Sequence, residues 1–214
     1  SHEAVLVHII CMLTGVQCLC MTYPCVGIDE AGRGPLAGPL SVAALKAGSA
    51  DALRALAGVT DSKKLTAVER TMWSARITAL EDEGLVVVGH AFISAPVIDR
   101  IGMGQALRRA TARVLDRVAA RADDPVFLDG SLYAPDRFVC QSTIPHGDEL
   151  DPLISAASVV AKVRRDRRME RLAFRFPAYG FAAHKGYGTA AHQRAIRVHG
   201  LAPIHRRSFC QRHP

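Results

Sequence analysis

The sequence predicts a layered α/β domain built on a mixed sheet, and three observations carry that expectation. Runs rich in β-branched residues, such as Val86-Val87-Val88, alternate with Ala- and Arg-rich segments of helical period. The first two apolar runs, Cys25–Asp29 and Leu40–Leu45, stand too close together for a helical crossover. They therefore read as an antiparallel hairpin within a sheet that otherwise needs crossovers. After Pro24 no repeat, low-complexity linker or shift in composition divides the chain.

Residues 1–20 differ from the rest: they are apolar and hold no Lys or Arg, which argues against a secretory signal. They are expected to be an extension or loosely ordered lead-in, with residues 21–214 forming one domain whose C-terminal portion is helical. Cys25–Asp29 is short and apolar, as suits a buried strand, and a turn rich in Gly and Pro separates it from Leu40–Leu45. Thr66-Ala67-Val68-Glu69 is a capping box that opens a helix running to about Glu83, where Gly84 stops it. Leu85–Ile93 is the third strand. Gly104 to about Arg121 is an amphipathic helix with Ala106, Leu107, Ala110, Val114, Leu115 and Val118 on one side. Val126-Phe127-Leu128 is a strand ending at Asp129-Gly130, and Phe138–Ser142 is a further candidate. Asp151–Arg175 is a long helix, apolar nearly all round at first and then strongly basic.

Composition narrows the function. Of the 214 residues, 49% are hydrophobic and 22% charged, and no apolar run reaches 18 residues, so no membrane span is expected. The formal charge of +7 favours a polyanionic partner. None of the six cysteines forms a C-x-x-C pair, and no Cys/His set stands at zinc spacing. Reduced thiols and a cytoplasmic protein are expected, and, with no exposed apolar stripe, a monomer.

The chemistry gathers at element ends. Asp29 and Glu30 close the first strand, Asp129 closes a later one, and His146-Gly147-Asp148 is a polar loop immediately before the long helix. Each alone is an ordinary turn or cap residue. Together, at strand and helix ends of an open α/β sheet, they can converge on one crevice. Such a set stays charged only with cations, and oxygen-only ligands suit two Mg²⁺ or Mn²⁺ ions better than zinc. Lys63 and Lys64 lie before the capping box, near a helix entrance where phosphates bind. Ser158 and Lys162 share one helix face a turn apart, so that both face the site or Lys162 reaches to solvent. Arg164, Arg165, Arg167, Arg168 and Arg171 form a basic half-helix, read mainly as a solvated face. Lys185 and His205-Arg206-Arg207 are candidate contacts to a nucleic-acid backbone.

These residues carry a family resemblance. Gly27-Ile28-Asp29-Glu30-Ala31-Gly32-Arg33-Gly34-Pro35, Asp61-Ser62-Lys63-Lys64-Leu65, Leu128-Asp129-Gly130, Gly147-Asp148 and Ser155 to Val163 closely resemble ribonuclease HII. So do Tyr179-Gly180-Phe181, His184 to Thr189 and His205 to Phe209, in the family's order. The resemblance implies an RNase H-like three-layer α/β/α fold and hydrolysis of RNA in RNA–DNA hybrids. It also implies incision 5′ of a ribonucleotide embedded in duplex DNA, by two metal ions, leaving 3′-hydroxyl and 5′-phosphate ends. It puts the family's four acids on Asp29, Glu30, Asp129 and Asp148, and its ribonucleotide-reading loop on Gly32, Arg33 and Gly34. It puts the junction-reading tyrosine on Tyr187, stacked on the next sugar.

Departures from the family pattern are few: His146 stands where a lysine is common, and Gly102 where an asparagine is frequent. No glutamine-led aromatic clamp-binding motif follows Phe209, so no clamp tether is expected there. A hybrid-binding protein without catalysis is the rival from another class, and the presence of all four acids argues against it. A junction resolvase is the rival nuclease, and it has no need of a loop that reads a 2′-hydroxyl. Ribonuclease HIII is set aside because its large N-terminal binding domain is not expected here.

Overall fold

The computed structural model describes residues 23–211, so the expected lead-in at residues 1–20 lies outside the described residues. Strands β1 (Cys25–Ala31) and β2 (Leu40–Ala47) form the expected antiparallel hairpin, paired from Cys25↔Ala47 to Ala31↔Ser41. Strand β3 (Val86–Ile93) lies antiparallel on the far side of β2. Strands β4 (Val126–Asp129) and β5 (Gln141–Ile144) extend the sheet on the other side of β1, both in parallel pairings. The order is therefore β3-β2-β1-β4-β5, a mixed sheet.

Helices fill both faces. In chain order they are α1 (Ala50–Ala55), α2 (Ala67–Asp82), α3 (Ala95–Arg117), α4 (Gly147–Leu150), α5 (Pro152–Arg175), α6 (Phe181–His184), α7 (Ala190–His199) and α8 (Arg207–Cys210). The period-2 alternation of β1 splits its side chains between two cores. Val26 and Ile28 pack with Ala106, Ala110, Val114 and Leu115 of α3. Cys25 belongs to the cluster around Leu153, Ala157 and Ala161 of α5. At Gly27 the helix lies on the strand backbone, since a Cβ there would fall 2.4 Å from Leu153 Cβ. That close approach sets α5 against the centre of the sheet. Burying Ile28, Leu40 and Leu45 completely contributes roughly 1.5–3 kcal/mol for each side chain.

Local signals explain most boundaries. Thr66 and Glu69 make both hydrogen bonds of the capping box that opens α2. Asp151 caps α5 by accepting from the amides of Leu153 and Ile154 at 2.8 and 3.0 Å. Three expectations need correcting. The helix expected from Gly104 starts at Ala95, after Ser94, and Gly102 (φ 77, ψ 160) breaks it into two segments. The apolar run at Phe138 is a turn closed by Phe138 N–H on Pro135 O, with its ring in the core, and the strand begins at Gln141. Gly147-Asp148, expected in a loop, forms the short helix α4.

The C-terminal portion is helical, as expected, and has its own small core. Ala37 from the glycine turn packs there with Met169, Leu172, Tyr179, Phe181 and Ala202. The turn between β1 and β2 is thus held by residues from the far end of the chain.

Candidate active site

Parallel pairing aligns the first two carboxylates. Val26, Gly27 and Ile28 face Val126, Phe127 and Leu128, so Asp29 and Asp129 follow at the same level on adjacent strands. Asp129 in turn pairs with Ile144, and the chain turns at His146 (φ 55) into α4. Gly147 packs so closely on Ile154 that a Cβ would lie 2.6 Å from its Cδ1. This brings the Asp148 amide to 3.3 Å from Asp129 Oδ1. Asp29, Asp129 and Asp148 each offer an oxygen, and the three lie within 4.8 Å of one another. Glu30 stands beside them rather than in that triple, with Oε1 3.2 Å from Arg33 Nε.

The electrostatics are those of a site short of positive charge. Burial pushes the Asp29 carboxyl well above the usual range, and the charges of Glu30 and Asp129 add to it. The Glu30 amide, 2.6 Å from Asp29 Oδ1, and the Ser158 hydroxyl oppose that shift. Glu30 is raised by burial, with Arg33 opposing, and Asp129 by burial and by Asp148. Glu30 Oε2 is buried and accepts no hydrogen bond among the described residues. Lys63 supplies a cation, with Nζ 3.0 Å from Asp148 Oδ2 and 3.7 Å from Asp61 Oδ1. Burial alone would lower Lys63; the hydrogen bond to Asp148 and the surrounding carboxylates raise it instead. Converging carboxylates and an orphaned carboxylate oxygen, with no nitrogen or sulfur donor in the set, fit a hard divalent cation.

The loop after β1 is built differently. Gly32 has φ +90, and a Cβ on it would fall 2.0 Å from Arg165 Nε, so the fold itself requires glycine there. Gly34 has no such constraint, since an added Cβ meets nothing within 4 Å. Arg33 reaches Ser131 Oγ at 2.9 Å across the mouth of β4. Tyr187 is 45% exposed, with its ring over the Arg165 guanidinium.

Residues 26–212 match the family model for Ribonuclease HII. The chain belongs to the ribonuclease HII family. Curated ribonucleases HII similar to it include that of Thermosynechococcus vestitus, 44% identical over 184 residues, covering 86% of this chain and 82% of that one. That of Shouchella clausii is 40% identical over 183 residues, covering 86% of this chain and 67% of the relative. Among solved structures, the PCNA:RNase HII complex from Archaeoglobus fulgidus superposes with a TM-score of 0.66 at 28% identity. It covers 86% of this chain and 93% of that one. Ribonucleases HII are endoribonucleases that cleave RNA in RNA–DNA hybrids and need divalent metal ions.

Within this chain, the remaining candidate residues divide. Ser158 lies at the carboxylates, hydrogen-bonded to Ser62 at 2.8 Å, whereas Lys162 one turn on pairs with Asp166 at 3.0 Å. Lys64 pairs with Glu149 at 2.6 Å, beside Asp148, and Lys185 with Glu170 at 2.8 Å. Three basic residues read as solvated or as backbone contacts are instead interior. Arg165 is buried on the carbonyls of Pro39 and Ala37. His205 is buried against His192, their Nε2 atoms 3.0 Å apart. Arg206 is fully buried on the carbonyls of Gly32, Arg33 and Gly38. Burial keeps both histidines neutral, with His205 pushed down to about 4. Nothing in a basic run marks which arginine turns inward; a glycine-rich turn, whose carbonyls need donors, is the one hint.

Proposed function

We propose that Asp29, Glu30, Asp129 and Asp148 are the hydrolytic centre, and that Gly32-Arg33-Gly34 with Tyr187 selects the phosphodiester to be cut. The single observation that supports this reading most is the convergence of Asp29, Asp129 and Asp148 within 4.8 Å, with Lys63 the one cation paired to them among the described residues. Asp29, Asp129 and Asp148 would hold the divalent ions, Mg²⁺ or Mn²⁺, and the half-buried Glu30 carboxylate stands beside them. When bound, such ions activate water and stabilise the leaving oxygen. The protein's own part is to aim these carboxylates. The Glu30 amide and Ser158 hydroxyl hold Asp29, and the Gly147 and Asp148 amides hold Asp129.

The loop's role is to bring backbone amides to the ribose. Gly34, free of any internal need for glycine, lets a sugar approach closely, and its 2′-hydroxyl is the group that separates RNA from DNA. The half-exposed Tyr187 ring offers a face to the neighbouring sugar. The proposed reaction is incision 5′ of a ribonucleotide, including a single one in duplex DNA, leaving 3′-hydroxyl and 5′-phosphate ends. A 5′-labelled DNA duplex with one ribonucleotide, incubated with Mg²⁺ or Mn²⁺, tests it. Incision at that residue is expected; binding without incision in either metal would sink the assignment. The archaeal relative was solved with PCNA; the same assay with and without a sliding clamp measures whether one matters here.

A further inference from the structure

Arg206 is a buried cation with no carboxylate in ion-pair contact among the described residues, Asp99 acting on it only from farther off. Its Nη2 donates to Gly32 O at 2.6 Å, its Nη1 to Arg33 O at 2.8 Å and its Nε to Gly38 O at 3.1 Å. The Phe209 ring packs on the guanidinium, its centroid 5.3 Å from Cζ. Burial, and then the neighbouring Arg165, push Arg206 down to about 9, so it remains charged at neutral pH. Burying a cation this way is costly, and an apolar side chain would fill the same space without that cost. What only a planar fork of donors supplies is several carbonyls fixed at once.

The direction of those carbonyls decides the direction of the amides. In a trans peptide the C=O of one residue and the N–H of the next point opposite ways. With Gly32 O and Arg33 O turned onto Arg206, the amides of Arg33 and Gly34 turn away from it. Neither donates to any acceptor among the described residues, and Pro35 has no N–H to add. The side chain missing from Gly34 would have met nothing, so this face of the loop is open.

We propose that Arg206 is a positioning residue for ribose selection, holding the loop so that the Arg33 and Gly34 amides present themselves to the 2′-hydroxyl. This rests on the reading of Gly32-Arg33-Gly34 as the ribose-reading loop. The segment bearing Arg206 is itself fixed to that loop: Arg206 N–H donates to Leu36 O at 2.7 Å, and His205 bridges Ala37. It is tied to the second reader as well. Ala202 N–H donates to His205 Nδ1 at 2.9 Å, leaving the His205 Nε2 proton for His192 Nε2 and the His192 Nδ1 proton for Tyr187 O at 2.9 Å. One stretch, Ala202 to Arg206, thus sets the glycine loop and Tyr187 in register.

The test measures affinity in Ca²⁺ for two duplexes, one all-DNA and one with a single ribonucleotide, in the unchanged protein and in Arg206→Lys. Lysine keeps a nitrogen donor on a long stem but not the fork. The expected result is all-DNA affinity within about twofold, with the ribonucleotide preference reduced by about tenfold, the equivalent of one or two hydrogen bonds. A preference kept in full by a folded Arg206→Lys protein overturns the proposal alone. No preference in the unchanged protein overturns the loop reading and this proposal with it. Should Arg206→Lys not fold, Phe209→Leu removes only the ring packed on the guanidinium. A fall of about threefold in the same ratio is then expected, and an unchanged ratio overturns the proposal.

Discussion

Two neighbouring stretches, Asp29-Glu30 and Gly32-Arg33-Gly34, are held in place by opposite physics. The carboxylate edge gathers like charges in a buried place, so Asp29, Glu30 and Asp129 all have raised proton affinities. It is poised for a cation and contributes repulsion until one arrives. The glycine loop rests on two buried arginines that hold the carbonyls of Gly32, Arg33, Ala37, Pro39 and Gly38. It is tied down before any ligand arrives. Changes at the edge should therefore cost activity and not stability, and changes beneath the loop should cost stability or selectivity.

The largest expected effect tests the edge. Asp29→Asn should lower hybrid cleavage by about 10³-fold, the scale of losing a principal electrostatic stabiliser of the transition state. In metal-free buffer its melting temperature should rise, because a buried like charge has gone. Retained turnover would remove Asp29 from the site, and a lowered melting temperature would break the contrast.

Next is the pair of glycines. Gly32→Ala should destabilise the protein by roughly 2–4 kcal/mol, from its φ of +90 and the clash with Arg165, read as a shift in denaturant midpoint. Gly34→Ala should leave the midpoint within about 0.5 kcal/mol, the scale of an ordinary surface change, while slowing cleavage at a single ribonucleotide. If both behave alike in stability, the loop has no division between a fold glycine and a substrate glycine.

Tyr187→Ala should lower cleavage at a single ribonucleotide by about tenfold, the value of one base- or sugar-stacking contact, and affect long hybrids less. Equal losses on both substrates would refute a junction-reading role.

The smallest effect concerns the histidines that hold Tyr187. His205 titrates near 6.5 when unfolded and is pushed down to about 4 by burial in the fold. Between those values the unfolded chain binds a proton that the folded one does not, so stability falls as pH falls through that window. The slope is at most about 1.4 kcal/mol per pH unit for one such group. His205→Gln should flatten melting temperature against pH in this range. His90, lowered to about 4 as well, contributes a slope of the same sign, and the raised Asp29, Glu30 and Asp129 contribute one of the opposite sign, both unchanged by the substitution. An unchanged slope would show that His205 is not buried neutral.

The comparison also separates what was legible in the sequence from what was not. The acids were legible because each sits where a local pattern ends: Asp29 after Val26-Gly27-Ile28, Asp129 after Val126-Phe127-Leu128, Asp148 before a capped helix. An apolar run reports a strand, and the first carboxylate after it reports the strand's end. The hairpin followed from spacing alone. Phe138 misled because a buried loop residue and a strand residue look alike in one short run.

The sequence by itself determined the α/β class, the candidacy of four acids at element ends and the order of motifs that marks the family, since these depend on period, caps and residue chemistry. The roles of the arginines were decided only by the tertiary structure. Arg165 and Arg206 look like any other basic residue in the chain, and their acceptors lie 126 to 174 positions away. An arginine's function is set by what its guanidinium reaches once the chain is packed, and neither hydrophobic period nor local capping carries that information.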